Sequence, residues 1–175
     1  MSKSILESAR VQIAQKVKEI SLVTPSGEKF FDALDKEIIE SSSDEMILAL
    51  FSLVPSEYLL VLSGGFGRKI SEGIDSGRLP RISYELFEGG IRKGGEVKPI
   101  RSRVWGERTC SGRIFLDDSI YGGKTFYMIQ HFYESQQIPL RLCAVIYDGC
   151  PVEKPYVKSL YRYYDFHNVK PNFKF

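Results

Sequence analysis

The stretch Arg113-Ile114-Phe115-Leu116-Asp117-Asp118-Ser119-Ile120-Tyr121-Gly122-Gly123-Lys124-Thr125 decides the fold. Its apolar run has no helical period and reads as a buried strand. Asp117 and Asp118 then stand at the carboxyl end of that strand, where open α/β sheets take their ligands. From Tyr121 to Thr125 the chain forms a loop whose glycines let backbone N–H groups turn inward, and a helical pattern follows. Such a loop ahead of a helix cradles an anion, suited to a phosphate. Two acceptors for vicinal hydroxyls beside that cradle are the parts of a ribose 5-phosphate site. A P-loop reading fails, because Gly123-Lys124-Thr125 would need a glycine where Asp118 stands.

Upstream the same pattern recurs. Tyr58-Leu59-Leu60-Val61-Leu62 is a second buried strand, running into Ser63-Gly64-Gly65-Phe66-Gly67-Arg68-Lys69 and a helix from about Ile70. A glycine-rich loop, a helix start and two cations suit a second anion; the plain alternative is an ordinary strand-to-helix turn. Between the two loops, Ile82 to Leu86 and Val97 to Ile100 bracket Gly89-Gly90-Ile91-Arg92-Lys93-Gly94-Gly95, an extended pair around a basic, glycine-rich tip.

The remaining segments are read from periodicity. Ile5, Ala9, Ile13, Val17 and Ile20 share one face of a helix over Ser4 to Ile20, and Ser4 with Glu7 forms a capping box. Leu22-Val23 reads as a short extended piece entering a turn. Phe30 to Ile39 is helical with Phe31, Leu34 and Ile38 on one side, and Met46 to Val54 is a buried helix. After the central stretch come a helix over Phe126 to Gln136 and a strand over Leu140 to Tyr147. His131 and His167 have no partner at ligand spacing and read as structural. Tyr156, Tyr161, Tyr163, Tyr164, Phe166, Phe173 and Phe175 make the tail aromatic.

The central run resembles the PRPP-binding motif of type I phosphoribosyltransferases: apolar strand, two acidic residues, Gly/Thr-rich phosphate loop. The resemblance implies an α/β fold, a Rossmann-like, mainly parallel sheet flanked by helices. It also implies a mobile β-hairpin flap and a hood from the terminal segments. On that pattern residues 1–175 form one domain, with a core over about 44–150 and a hood from about 1–43 and 151–175. The implied activity is transfer of the ribose 5-phosphate of PRPP to a nucleobase or related nitrogen acceptor, with release of pyrophosphate. A non-catalytic PRPP or nucleotide sensor on the same fold is the alternative.

Site roles follow from the same resemblance. Asp117 and Asp118 would hold the 2- and 3-hydroxyls and favour a cationic ribose ring. Ser119, Ile120, Tyr121, Gly122, Gly123, Lys124 and Thr125 would bind the 5-phosphate. Ser63, Gly64, Gly65 and Arg68, with Lys93, Lys98, Arg101 and Arg103 on the flap, would meet pyrophosphate. Mg²⁺, held mainly by PRPP oxygens, would reach Asp117 and Asp118 through ligand or water, with Asp165 as an outer-sphere partner. Leu62-Ser63-Gly64-Gly65-Phe66 is most similar to the corresponding loop of the hypoxanthine-guanine branch. Tyr121, however, occupies a place where many purine enzymes carry an aspartate that meets the base's N7 proton. Tyr147-Asp148 also lacks the lysine with which that branch reads an exocyclic oxygen. Ser119-Ile120 is similar to the amidophosphoribosyltransferases, whose glutaminase domain this chain does not have. The tail aromatics suit stacking on a base, packing on the domain, or a homodimer contact.

Composition agrees with a soluble globular domain: 175 residues, 43% hydrophobic and 26% charged. A net charge of +2 gives no ground for nucleic-acid binding. Cys110, Cys143 and Cys150 are widely spaced and read as reduced thiols of a cytoplasmic protein. The start of the chain is amphipathic and not a signal core, and no apolar run approaches the roughly 18 residues that cross a membrane.

Overall fold

A computed structural model describes residues 3–23, 27–91, 94, 96–105 and 112–166. Continuous apolar runs need cover on both faces, and the chain provides it in three layers. Helices α1 (Lys3–Val23), α2 (Gly27–Ser41), α3 (Asp44–Phe51) and α4 (Gly64–Asp75) flank one face of a six-stranded sheet. There Ile13, Leu34, Ile38, Leu50 and Ile70 pack with Leu60, Leu62, Ile114, Leu116 and Ile146 in one buried cluster. Helix α5 (Lys124–Glu134) covers the other face, where Phe126, Ile129 and Tyr133 meet Val61, Phe115 and Val145.

The strands are β1 (Tyr58–Ser63), β2 (Tyr84–Phe87), β3 (Pro99–Arg103), β4 (Gly112–Ile120), β5 (Leu140–Asp148) and β6 (Val157–Arg162), followed by the short α6 (Tyr163–Phe166). They run β3-β2-β1-β4-β5-β6 across the sheet. All neighbours are parallel except β2 and β3, which pair as an antiparallel edge. The expected α/β architecture, a mainly parallel sheet flanked by helices, is therefore the one adopted. From β1 the chain builds outward to β3, then returns to β4 and builds the other way. The β1–β4 junction is thus the topological switch point, where open sheets hold ligands.

Several boundaries differ from expectation. Strand β4 does not stop at Leu116 but continues through Asp117 and Asp118 to Ile120, because β5 pairs with it as far as Ile120↔Asp148. Its pairing with β1 ends at Val61↔Phe115, so the last turn of β4 overhangs its neighbour. Helix α4 begins at Gly64, not near Ile70: Ser63 is extended at φ −148° and Gly64 turns the chain at φ +66°. A positive φ of that kind lets a strand pass into a helix across one residue. Residues 151–175 are not all outside the sheet, since Val157–Arg162 adds β6 parallel to β5. Leu22 and Val23 finish α1, with 77% and 79% of their surface exposed, and are not extended. Ser43, whose side chain accepts from the Met46 N–H, caps α3. Among the described residues no helix is long and apolar enough to cross a membrane.

Candidate functional site

The overhang of β4 past β1 opens a cleft of about 570 Å³ at the switch point. Its walls bring together Ser63, Gly64 and Gly65 from the end of β1 and the start of α4 with Asp117 through Thr125 from the end of β4 and the start of α5. Asp35 of α2 and Glu88 after β2 add two further carboxylates to its lining. Two helices, α4 and α5, start on this one cleft. Unpaired N–H groups and the positive end of the helix dipole come with each start, so the cleft has two places for anions.

The second of these is the more built. Gly123 sits ahead of α5 at φ +82°, and the first helical bond runs from Tyr127 N–H to the Gly123 carbonyl at 2.9 Å. A Cβ on Gly123 would come within 3.2 Å of the Tyr127 ring. Beneath the loop, the Gly149 N–H donates to the Ile120 carbonyl at 2.8 Å, and the Cys150 thiol donates to the Tyr121 carbonyl at 2.7 Å. Burial, then the charge of Asp148, pushes that thiol up to about 12, so it stays a donor. Cys150, read from sequence only as a reduced thiol, therefore underpins the phosphate-type loop. A side chain at residue 149 would collide with the Tyr121 ring.

Asp117 and Asp118 differ in environment although adjacent. Asp118 is 8% exposed, and burial, followed by the charge of Asp117, drives its carboxyl well above the usual range. Asp117 accepts from the Asp118 N–H at 3.0 Å. The pair therefore holds a proton more readily than two separated carboxylates and can meet hydroxyls as both donor and acceptor.

Tyr121 turns inward. Its ring packs at 4.5 Å from Phe31 and 6.0 Å from Tyr147, and its hydroxyl donates to Asp35 Oδ1 at 2.6 Å. Burial, then Asp35, raises its pKa well above the usual tyrosine value. Ser119 Oγ donates to the same oxygen at 2.7 Å. Asp35 is the site residue that sequence reading missed. Its signal was present: Phe31, Leu34, Asp35 and Ile38 share one helical stripe, so a carboxylate stands where an apolar side chain belongs.

Other candidates lie elsewhere. Arg101 and Arg103 are on edge strand β3, where both pair with Asp75 of α4, at 3.2 and 3.4 Å. Tyr84 donates to both oxygens of the same carboxylate, so Asp75 holds the two arginines to the sheet edge and away from the cleft lining. Lys98 pairs with Glu96. Arg68 is exposed on α4 and does not line the cleft, while Lys69 is turned to the end of α2. Lys93, like His167, falls outside the described residues. Asp165 accepts from Arg162 at 2.9 Å and is not part of the cleft wall. His131 is exposed on α5.

No protein-family model matches the sequence, and no curated protein matches it. Among solved structures the chain is similar to a hypoxanthine phosphoribosyltransferase from Staphylococcus aureus, with TM-score 0.40 and 17% identity over 70% of this chain and 73% of that one. A purine phosphoribosyltransferase from Pyrococcus horikoshii follows at TM-score 0.36 and 14% identity, covering 73% and 81%. A hypoxanthine phosphoribosyltransferase from Trypanosoma cruzi, in complex with the product IMP, gives TM-score 0.36 and 14% identity over 93% and 78%. Likeness of this order does not carry an activity across; the residues of the cleft have to.

Proposed function

We propose that the chain is a phosphoribosyltransferase of the type I organisation, moving the ribose 5-phosphate of PRPP to a nucleobase or related nitrogen acceptor. One observation carries this reading: two helix starts and an adjacent carboxylate pair converge on a single switch-point cleft. The α5 start and residues 119–125 take the 5-phosphate, and the α4 start with Ser63, Gly64 and Gly65 takes the pyrophosphate. Asp117 and Asp118, between the two, bond the ribose hydroxyls. In the reaction the C1–O bond to pyrophosphate breaks, the C1–N bond forms, and positive charge grows on the ring. Charge-assisted bonds from the acidic pair favour that state, and fixing the phosphate holds the ring for attack.

Mg²⁺ would supply neutralisation of the leaving pyrophosphate when bound. Among the described residues no group of three or more His, Cys, Asp or Glu converges on one point. Two adjacent carboxylates fit an ion that takes most of its oxygens from PRPP and water. Asp117 and Asp118 would then reach it through those ligands.

The test is pyrophosphate release from PRPP and Mg²⁺ across a panel of nitrogen heterocycles, paired with calorimetric PRPP titration. Release with one heterocycle supports the transferase; binding without release from any selects a regulatory PRPP-binding protein. PRPP affinity should collapse in the double variant Asp117→Asn, Asp118→Asn. Unchanged affinity there would overturn the assignment of the cleft.

A further inference from the structure

Resting on the transferase reading, we infer that Asp35 of α2 is the carboxylate that reads and deprotonates the acceptor, and that the acceptor is a neutral heterocycle presenting an N–H. Asp35 lines the same cleft as the acidic pair and the phosphate loop. Oδ1 accepts from both Tyr121 and Ser119, at 2.6 and 2.7 Å; Ser119 stands near the end of β4 and Tyr121 opens the loop that would hold the 5-phosphate. The carboxylate is thereby fixed in orientation relative to the ribose site although it comes from a different element. Preorganisation of this kind is what a group placed to meet a reacting N–H requires.

Chemistry makes the position matter. Tyr121 is buried, and its raised pKa leaves its hydroxyl a donor to Asp35 and no base. When the unprotonated nitrogen of an imidazole-type ring bonds C1, the ring becomes cationic and its other N–H acidic; in an imide the nitrogen that bonds C1 itself carries the proton to be lost. In both, the proton passes from the nitrogen that bears it to the Asp35 carboxylate and on to water, as the C1–O electron pair leaves with pyrophosphate. A carboxylate is basic enough for a proton released this late in bond formation.

Charge sets the acceptor class. Among the described residues lining the cleft, the carboxylates are Asp35, Glu88, Asp117 and Asp118, and the only cation is Lys124, at the phosphate loop. An acceptor bearing its own carboxylate would face like charge on the α2 side, whereas a neutral N–H donor finds an acceptor there.

Asp35→Asn keeps an oxygen for Tyr121 and Ser119 and removes the base. Turnover with imidazole, purine and pyrimidine bases should fall by about 100-fold or more, the scale of one acid–base group. PRPP affinity, read by calorimetry, should stay within about twofold, well inside what one neutral hydrogen bond is worth. A second measurement uses heterocycles methylated at the N–H. The wild type should reject them strongly, and Asp35→Asn should discriminate far less between methylated and unmethylated bases. Equal discrimination in both proteins, or a parallel loss of PRPP affinity and turnover, would reduce Asp35 to a packing role and overturn the inference. Preferred turnover of carboxylated heterocycles would overturn the acceptor class. Failure of the wild type to bind PRPP would instead remove the transferase reading itself, so the two failures are distinct.

Discussion

Lys69 seals the carboxyl end of α2, donating to the Ser42 carbonyl at 2.6 Å and to its hydroxyl at 3.0 Å, while the Ile39 carbonyl accepts at 3.0 Å. An ammonium at a helix C-terminus satisfies carbonyls that have no intrahelical partner and complements the negative end of the dipole. Burial, then Arg78, lowers the Lys69 pKa, so the contact stands against some desolvation. The helix it holds is the one carrying Asp35, so a side chain grouped in sequence with the second anion loop instead steadies the α2 wall of the cleft.

Lys69→Met keeps the aliphatic stem and removes the donors. Stability should drop by about 1–2 kcal/mol, the range for hydrogen bonds from a partly exposed charged group. The melting temperature should fall by roughly 2–4 °C for each kcal/mol in a chain of this size. Turnover should suffer in the acceptor KM and not in PRPP affinity. An unchanged melting temperature would mean that the end of α2 holds itself.

Asp118→Asn should raise stability at neutral pH. The folded pKa of Asp118 is raised by burial and by Asp117, so between the ordinary carboxylate range and that raised value the folded protein binds a proton that the unfolded chain does not. Stability from this group is fully present below the unfolded pKa, near 4, and is lost as pH climbs through the folded one. Thermal melts from pH 4 to pH 8 should show wild type and variant converging at the acid end and the variant ahead at the neutral end. A gap that widens toward acid would contradict the sign.

Gly123→Val should lose the phosphate. At φ +82° a residue with a Cβ costs about 1–2 kcal/mol, and this one would also press on the Tyr127 ring. A nucleoside monophosphate should raise the melting temperature of wild type by linkage and leave the variant unmoved. Equal shifts would locate the phosphate away from the α5 start.

Much of this protein is written locally. The unbroken apolar runs at Leu59–Leu62 and Ile114–Leu116, each bounded by turn residues, read as strands covered on both faces, which points to a parallel sheet with flanking helices. Asp117-Asp118 followed by Gly122-Gly123 is equally local, since a carboxylate pair, a left-handed glycine and a helix start lie within one turn of chain. What the chain could not state by itself is which distant groups meet there. Asp35 is 84 residues from Ser119, and only the packing of α2 on the sheet face brings their side chains into contact. Arg101 and Arg103 carry the charge expected of anion contacts, yet the antiparallel pairing of β3 to β2 commits them to Asp75. The sixth strand was hidden because Lys158, Ser159 and Arg162 break up the apolar residues of Val157–Arg162, and it becomes a strand only through the free edge of β5. Side-chain periodicity sets the elements because it acts over neighbouring residues. Sheet order, helix docking and the partner of each charge depend on contacts across the chain, which only the tertiary fold supplies.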